Sequence, residues 1–125
     1  MPTVLIVDDD PVSRQFMKDV LSAGMGLAVQ EARNVGEGIA LAQDSAPDLI
    51  LLDQHMPDGT AADFCDGLIG KAPELAAVPK WVVTGERPLD WDEDIWRKRG
   101  VVGYMMKPCQ IDQLENAVRK AMGKK

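Results

Sequence analysis

The chain has 125 residues, 46% of them hydrophobic and 27% charged, with 14 Lys and Arg against 20 Asp and Glu for a formal net charge of −6. That length suits one domain and leaves no room for two, the composition is that of a globular rather than a disordered chain, and the acidic balance argues against a general nucleic-acid binder, which needs cations to neutralise phosphates. No run approaches the ~20 apolar residues of a membrane span, Met1-Pro2-Thr3 lacks the basic start of a secretory signal, and one histidine with two distant cysteines, Cys65 and Cys109, leaves next to no room for a Cys/His zinc site.

The first apolar run, Thr3 to Val7, predicts a strand. Its core, Val4-Leu5-Ile6-Val7, is continuously hydrophobic, as in a parallel sheet covered on both faces, and it stops at Asp8-Asp9-Asp10. Phe16, Met17, Val20 and Leu21 then mark one face of a helix, capped by Asp10, with Pro11 at its first position and Gly24 at its end. Leu27 to Val29 is a weaker run, as an edge strand is. Asn34 predicts the cap of a second helix running through Ile39, Ala40 and Leu41 to Pro47, softened by Gly36 and Gly38 at about 1 kcal/mol each. Leu49 to Leu52 is a third strand, ending at Asp53. A helix follows from near Thr60 with Phe64, Leu68 and Ile69. Trp81 to Val83 is a fourth strand ending at Thr84, and a short polar helix spans Asp92 to Arg99. Val101 to Met106 is a fifth strand ending at Lys107-Pro108. The last helix carries a stripe of Ile111, Leu114, Ala117, Val118 and Ala121 and stops before Gly123.

Strand and helix alternate five times, which predicts a doubly wound α/β fold with a five-stranded parallel sheet between two helical layers. Ligands of such sheets bind beyond the carboxyl ends of the strands. Four of the five strands deliver a polar group there. Asp8 and Asp9 come too early to cap the first helix. With Asp53 beside them, three carboxylates crowd one site and raise one another's pKa unless a cation intervenes. A hard divalent ion held through oxygen answers that, with Mg²⁺ the default. Lys107 is either a solvated strand end or a counter-charge able to hold a bound anion. Thr84 is either a β-branched strand residue or a hydroxyl donor to an anionic oxygen.

Together these residues resemble the receiver domain of two-component response regulators. The resemblance covers essentially the whole chain. It rests on Val4-Leu5-Ile6-Val7-Asp8-Asp9-Asp10-Pro11, on Pro47-Asp48-Leu49-Ile50-Leu51-Leu52-Asp53 through Met56-Pro57 and Gly59, on Val82-Val83-Thr84-Gly85, and on Gly103-Tyr104-Met105-Met106-Lys107-Pro108. It implies a flavodoxin-like receiver fold of strand order 2-1-3-4-5 and a single receiver domain over residues 1–125; with no output domain in the sequence, this is either a stand-alone receiver or a fragment of a longer regulator. Asp53 matches the aspartate that accepts a phosphoryl group from the phosphohistidine of a histidine kinase or phosphotransfer protein. Asp8 and Asp9 match the acidic pair that holds Mg²⁺ (or Mn²⁺ in its place), Asp9 ahead of Asp8 as direct ligand, and the third protein ligand is the main-chain carbonyl of His55. Lys107 matches the lysine that contacts the phosphoryl group, its bond to Pro108 cis. Thr84 matches the hydroxyl residue that moves toward the phosphoryl group, and Tyr104 the aromatic that changes rotamer with it. The protein is then a cytoplasmic phosphoacceptor switch rather than a turnover enzyme. It would act on an unknown downstream protein through the surface of its fourth helix, fifth strand and fifth helix, without contacting nucleic acid or entering a membrane.

Departures from the common pattern add expectations. His55 and Glu86 hold the two variable positions that tune loss of phosphate; His55 is otherwise a plain exposed loop residue. Pro88 delays the fourth helix. Trp91 and Trp96 either cover the sheet or present an aromatic partner surface on that helix, which puts the usual receiver dimer in doubt. Among rivals, a haloacid-dehalogenase-type phosphatase lacks its second Asp, since His55 stands there, and a P-loop lacks its first glycine, since Cys65 stands there. A receiver fold serving as a phosphorylation-independent binding module is the alternative that survives.

Overall fold

The parallel sheet contains Thr3–Val7 (β1), Ala28–Ala32 (β2), Leu49–Asp53 (β3), Lys80–Thr84 (β4) and Val101–Met106 (β5), hydrogen-bonded in the order β2-β1-β3-β4-β5. Helices Pro11–Asp19 (α1), Val35–Ser45 (α2), Ala61–Lys71 (α3), Glu93–Lys98 (α4) and Ile111–Ala121 (α5) alternate with the strands. This computed structural model describes residues 2–86 and 90–122. The fold is therefore the flavodoxin-like, doubly wound α/β arrangement. Among the described residues no helix is long and apolar enough to cross a membrane.

The continuous apolar runs follow from two-sided burial. Successive strand side chains point to opposite faces, so Leu5, Val7, Ile50 and Leu52 pack with Ile39, Phe64 and Leu68 of α2 and α3. Val4, Ile6, Leu49 and Leu51 pack on the other face with Met17, Leu21, Leu114 and Val118. Each such side chain, withdrawn from water, contributes roughly 1.5–3 kcal/mol. This central slab is the rigid base on which the strand ends stand.

Several local expectations need correction. β2 runs to Ala32 rather than ending at Val29, because pairing of Thr3 to Val7 with Ala28 to Ala32 extends it through the polar Gln30 and Glu31. It is an edge strand, half-exposed, so polar residues cost it little. The helical segment begun by α1 does end at Gly24, but from Val20 to Gly24 it widens into a π turn, and the left-handed residue beyond it is Gly26, φ +69°, rather than Gly24. α2 is capped by Asn34, whose carboxamide oxygen accepts from Glu37 N at 2.8 Å, but it ends at Ser45 with Ala46 left-handed. Gly38 is not merely a soft spot. A Cβ there would stand 2.9 Å from both Phe64 Cε1 and Val7 Cγ2, so its lack of a side chain lets α2 close on the sheet. Ile111, placed on the buried stripe of α5, is 55% exposed, while Leu114, Ala117 and Val118 are buried. α4 starts at Glu93 with Asp92 as its cap; the delay assigned to Pro88 lies outside the described residues.

β4 also begins one residue early, on a lysine with no solvent exposure. Lys80 satisfies its ammonium on the carbonyls of Ala76 (3.1 Å) and Val78 (2.8 Å), and burial lowers its pKa. Gly100, φ +84°, passes this corner so closely that a Cβ would collide with the Ala76 carbonyl and stand 2.7 Å from Lys80 Nζ.

Candidate functional site

Strand register assembles the site. Val7 lies opposite Leu52, so the residues that follow them, Asp8 and Asp53, emerge side by side; Thr84 lies opposite Met106, which puts Lys107 at the same rim. Lys107 N donates to Thr84 O at 2.7 Å, locking the two strand ends together, and the Lys107–Pro108 peptide is cis. Asp10 caps α1, its carboxylate accepting from Val12 N at 3.1 Å, with Pro11 at the first helical position.

Asp8, Asp9 and Asp53 each offer a carboxylate oxygen, and these oxygens lie within 4.8 Å of one another. Asp8 is buried, Asp53 half-buried and Asp9 exposed, so the group opens to solvent on one side. The Lys107 ammonium stands 2.8 Å from Asp8 Oδ2 and 3.5 Å from Asp53 Oδ1. Burial depresses its pKa, but the two carboxylates outweigh burial and raise it, which keeps it a cation. Asp53 is pushed up to about 6, first by burial and then by the charge of Asp8, with Lys107 opposing. Asp8 Oδ2 is buried and meets the ammonium as an ion pair without hydrogen-bond geometry. Three hard carboxylate oxygens gathered this closely form a donor set suited to a hard divalent cation.

The other expected site residues divide. Thr84 sits at the rim, but its hydroxyl donates to Glu86 O (3.1 Å) and accepts from Glu86 N (3.2 Å), so it closes a turn rather than facing the carboxylates. His55 is exposed, in a two-residue ribbon opposite Thr60, and Glu86 is exposed as well. Tyr104 is half-buried with its ring tilted against Trp91 at 4.9 Å. Trp91 stacks flat on Trp96, centroids 4.6 Å apart and planes 7° apart, and Arg99 lies over Trp96 at 4.9 Å while gripping Asp66 of α3. The tryptophans thus do part of both jobs expected of them. They pack against the core beneath α4, and they line a groove of about 280 Å³ with Trp81, Tyr104 and Arg97.

Two supporting residues went unseen in the sequence. Asp58 accepts from Val35 N (2.8 Å) and Gly36 N (3.0 Å), pinning the segment after Asp53 to the start of α2; these amide bonds hold its carboxyl below the usual range. Arg14 donates to the Asp8 carbonyl at 2.8 Å. Only their distances along the chain, a few residues from Asp53 and Asp8, hinted at either.

Comparison with known proteins supplies the family. The response regulator receiver domain family matches residues 4–119, and the chain belongs to that family. It is 34% identical over 122 residues to the KDP operon transcriptional regulatory protein KdpE of Escherichia coli, covering 98% of this chain and 52% of that protein. It is 32% identical over 124 residues to Protein PilH of Pseudomonas aeruginosa, covering 98% of each. The chain thus spans about half the length of the first curated relatives it matches and nearly all of others. Among solved structures, a CheY-like response regulator receiver domain protein from Methanospirillum hungatei superposes with a TM-score of 0.84 at 26% identity, over 98% of this chain and 94% of that one.

Proposed function

We propose that this receiver domain is a phosphoacceptor switch: Asp53 takes a phosphoryl group from the phosphohistidine of a histidine kinase or phosphotransfer protein, in a reaction that requires Mg²⁺. The observation that carries this reading is the packing of Asp8, Asp9 and Asp53 oxygens within 4.8 Å of one another beside the Lys107 ammonium. Phosphoryl transfer asks the protein for alignment and neutralisation of charge more than for covalent help. A carboxylate oxygen of Asp53 attacks phosphorus in line; the P–N bond of the phosphohistidine breaks, and its electron pair returns to the imidazole. With a pKa of about 6, Asp53 is mostly ionised at neutral pH and therefore nucleophilic. Asp8 and Asp9, with the main-chain carbonyl of His55, would hold Mg²⁺, which supplies positive charge to the phosphoryl oxygens when bound. Lys107, now shared between Asp8 and Asp53, gives that group a second cation. Thr84 has a single hydroxyl proton, so to donate to the phosphoryl group it must release Glu86 O.

On this reading the domain is a self-modifying switch, not a turnover enzyme, and it works in the cytoplasm. Tyr104 and the surface of α4, β5 and α5 would carry the signal to a protein partner, with Trp91 and Trp96 at its edge. The test is incubation with a small-molecule phosphodonor and Mg²⁺, followed by intact mass. Acid-labile incorporation that EDTA suppresses supports the reading, and its absence in folded protein returns the phosphorylation-independent binding module. A second expectation separates main chain from side chain at His55. His55→Ala should leave Mg²⁺ affinity by calorimetry unchanged, because only the carbonyl is called on; a loss of tenfold would make the imidazole a ligand.

A further inference from the structure

Asp8 is held at every polar atom it has. Its amide donates to Ala32 O at 3.0 Å, its Oδ1 accepts from Asp10 N at 2.9 Å, its Oδ2 faces Lys107, and its carbonyl accepts from Arg14 Nη1 at 2.8 Å. The last of these has a particular consequence. The Asp8 carbonyl lies in the peptide plane that joins Asp8 to Asp9, so whatever fixes that oxygen fixes the directions in which two of the three clustered carboxylates leave the backbone. Arg14 is suited to do so. It projects from the second turn of α1, its side chain is 15% exposed, and a charged donor to a carbonyl is stronger than a neutral one.

The charge of Arg14 is answered by a carboxylate outside the cluster. Glu31 of β2 lies 3.4 Å from Arg14 Nε, and Lys18 lies 3.2 Å from the other Glu31 oxygen. Building on the phosphoacceptor reading, we infer that Arg14 is a positioning residue for the cation site, orienting Asp8 and Asp9 through their shared peptide plane while Glu31 limits its repulsion of the cation.

Charge and positioning predict opposite signs here. Removing a positive charge near a cation site should tighten Mg²⁺ if charge alone matters; removing an outer support of the ligands typically weakens a metal site 10–100-fold. The experiment titrates Mg²⁺ into the metal-free full chain by calorimetry for wild type, Arg14→Met and Arg14→Gln, with a thermal melt of each. Both variants should bind at least about tenfold more weakly than wild type while remaining folded. A merely structural role would lower the melting temperature and leave the affinity of folded protein unmoved. Affinity equal to or tighter than wild type in either folded variant overturns the inference. Should wild type itself fail to bind Mg²⁺, the phosphoacceptor reading falls and this inference with it; wild-type binding with unaffected variants removes only the role of Arg14.

Discussion

Asp53→Asn should abolish acid-labile phosphoryl incorporation from a small phosphodonor in Mg²⁺, leaving the fold intact. The carboxamide has no anionic oxygen to attack phosphorus, and Asn cannot restore one by ionising. Asp8 cannot substitute, because it is buried and ion-paired with Lys107 at 2.8 Å. Asp9 is exposed and its carboxylate stands within 4.8 Å of that of Asp53, but no Lys107 contact reaches it, and on the proposed reading its oxygen is committed to the cation. Circular dichroism should not change, since Asp53 supports no part of the apolar core. Incorporation by the variant at the wild-type level would reject Asp53 as the nucleophile; intact-mass measurement after a fixed incubation decides.

The second large effect concerns stability. In the fold Asp53 titrates at about 6, against 3.8 for an unperturbed side chain, so between those values the folded state holds a proton that the unfolded chain has released. Stability attributable to this group therefore falls as pH rises from about 4 through 6 and is flat above about 7. Ionising Asp53 inside the metal-free cluster costs on the order of 2 kcal/mol, allowing for screening at the open rim. Asp58 has the opposite sign: its carboxyl is held low by the Gly36 and Val35 amides, so its contribution is present above the ordinary carboxylate range and is lost as the pH falls below it. In EDTA the protein should be more stable to urea at pH 5 than at pH 8. Asp53→Asn should flatten that difference and exceed wild type at pH 8. Mg²⁺ at a hundredfold excess over its Kd should add about 2.7 kcal/mol to wild type at pH 8, and less at pH 5 where Asp53 is protonated. A metal-free Asp53→Asn protein no more stable than wild type at pH 8 would show that the carboxylates do not strain one another.

Much of this was legible in the residue order, for a physical reason. The runs Val4–Val7 and Leu49–Leu52 are apolar on both faces and end abruptly at carboxylates, and parallel pairing with Val7 opposite Leu52 brings Asp8 and Asp53 together with little freedom. Two local caps were equally readable, Asp10 and Asn34, and Thr60 and Asp92, read only as helix starts, turn out to cap α3 and α4. Features decided by distant partners were not. Nothing near Gly38 announces that Phe64 will lie against it, and nothing near Lys80 announces two free carbonyls in the preceding loop. The Thr84 hydroxyl donates to the Glu86 carbonyl rather than to a carboxylate, a competition between local and distant acceptors that spacing cannot rank. β2 extended past its apolar residues because an edge strand is set by its neighbour's register, and Arg14 found Asp8 only once α1 had turned back over the strand end.

The flat contact between Trp91 and Trp96 gives the molecule an optical gauge of its own. Two indoles 4.6 Å apart share their electronic excitation, and the resulting circular dichroism couplet depends on their separation and mutual angle. Tyr104 leans on one ring and Arg99 on the other. Rotation of the tyrosine or movement of α4 would therefore alter that couplet, and the state of this face can be followed in solution without attaching any dye.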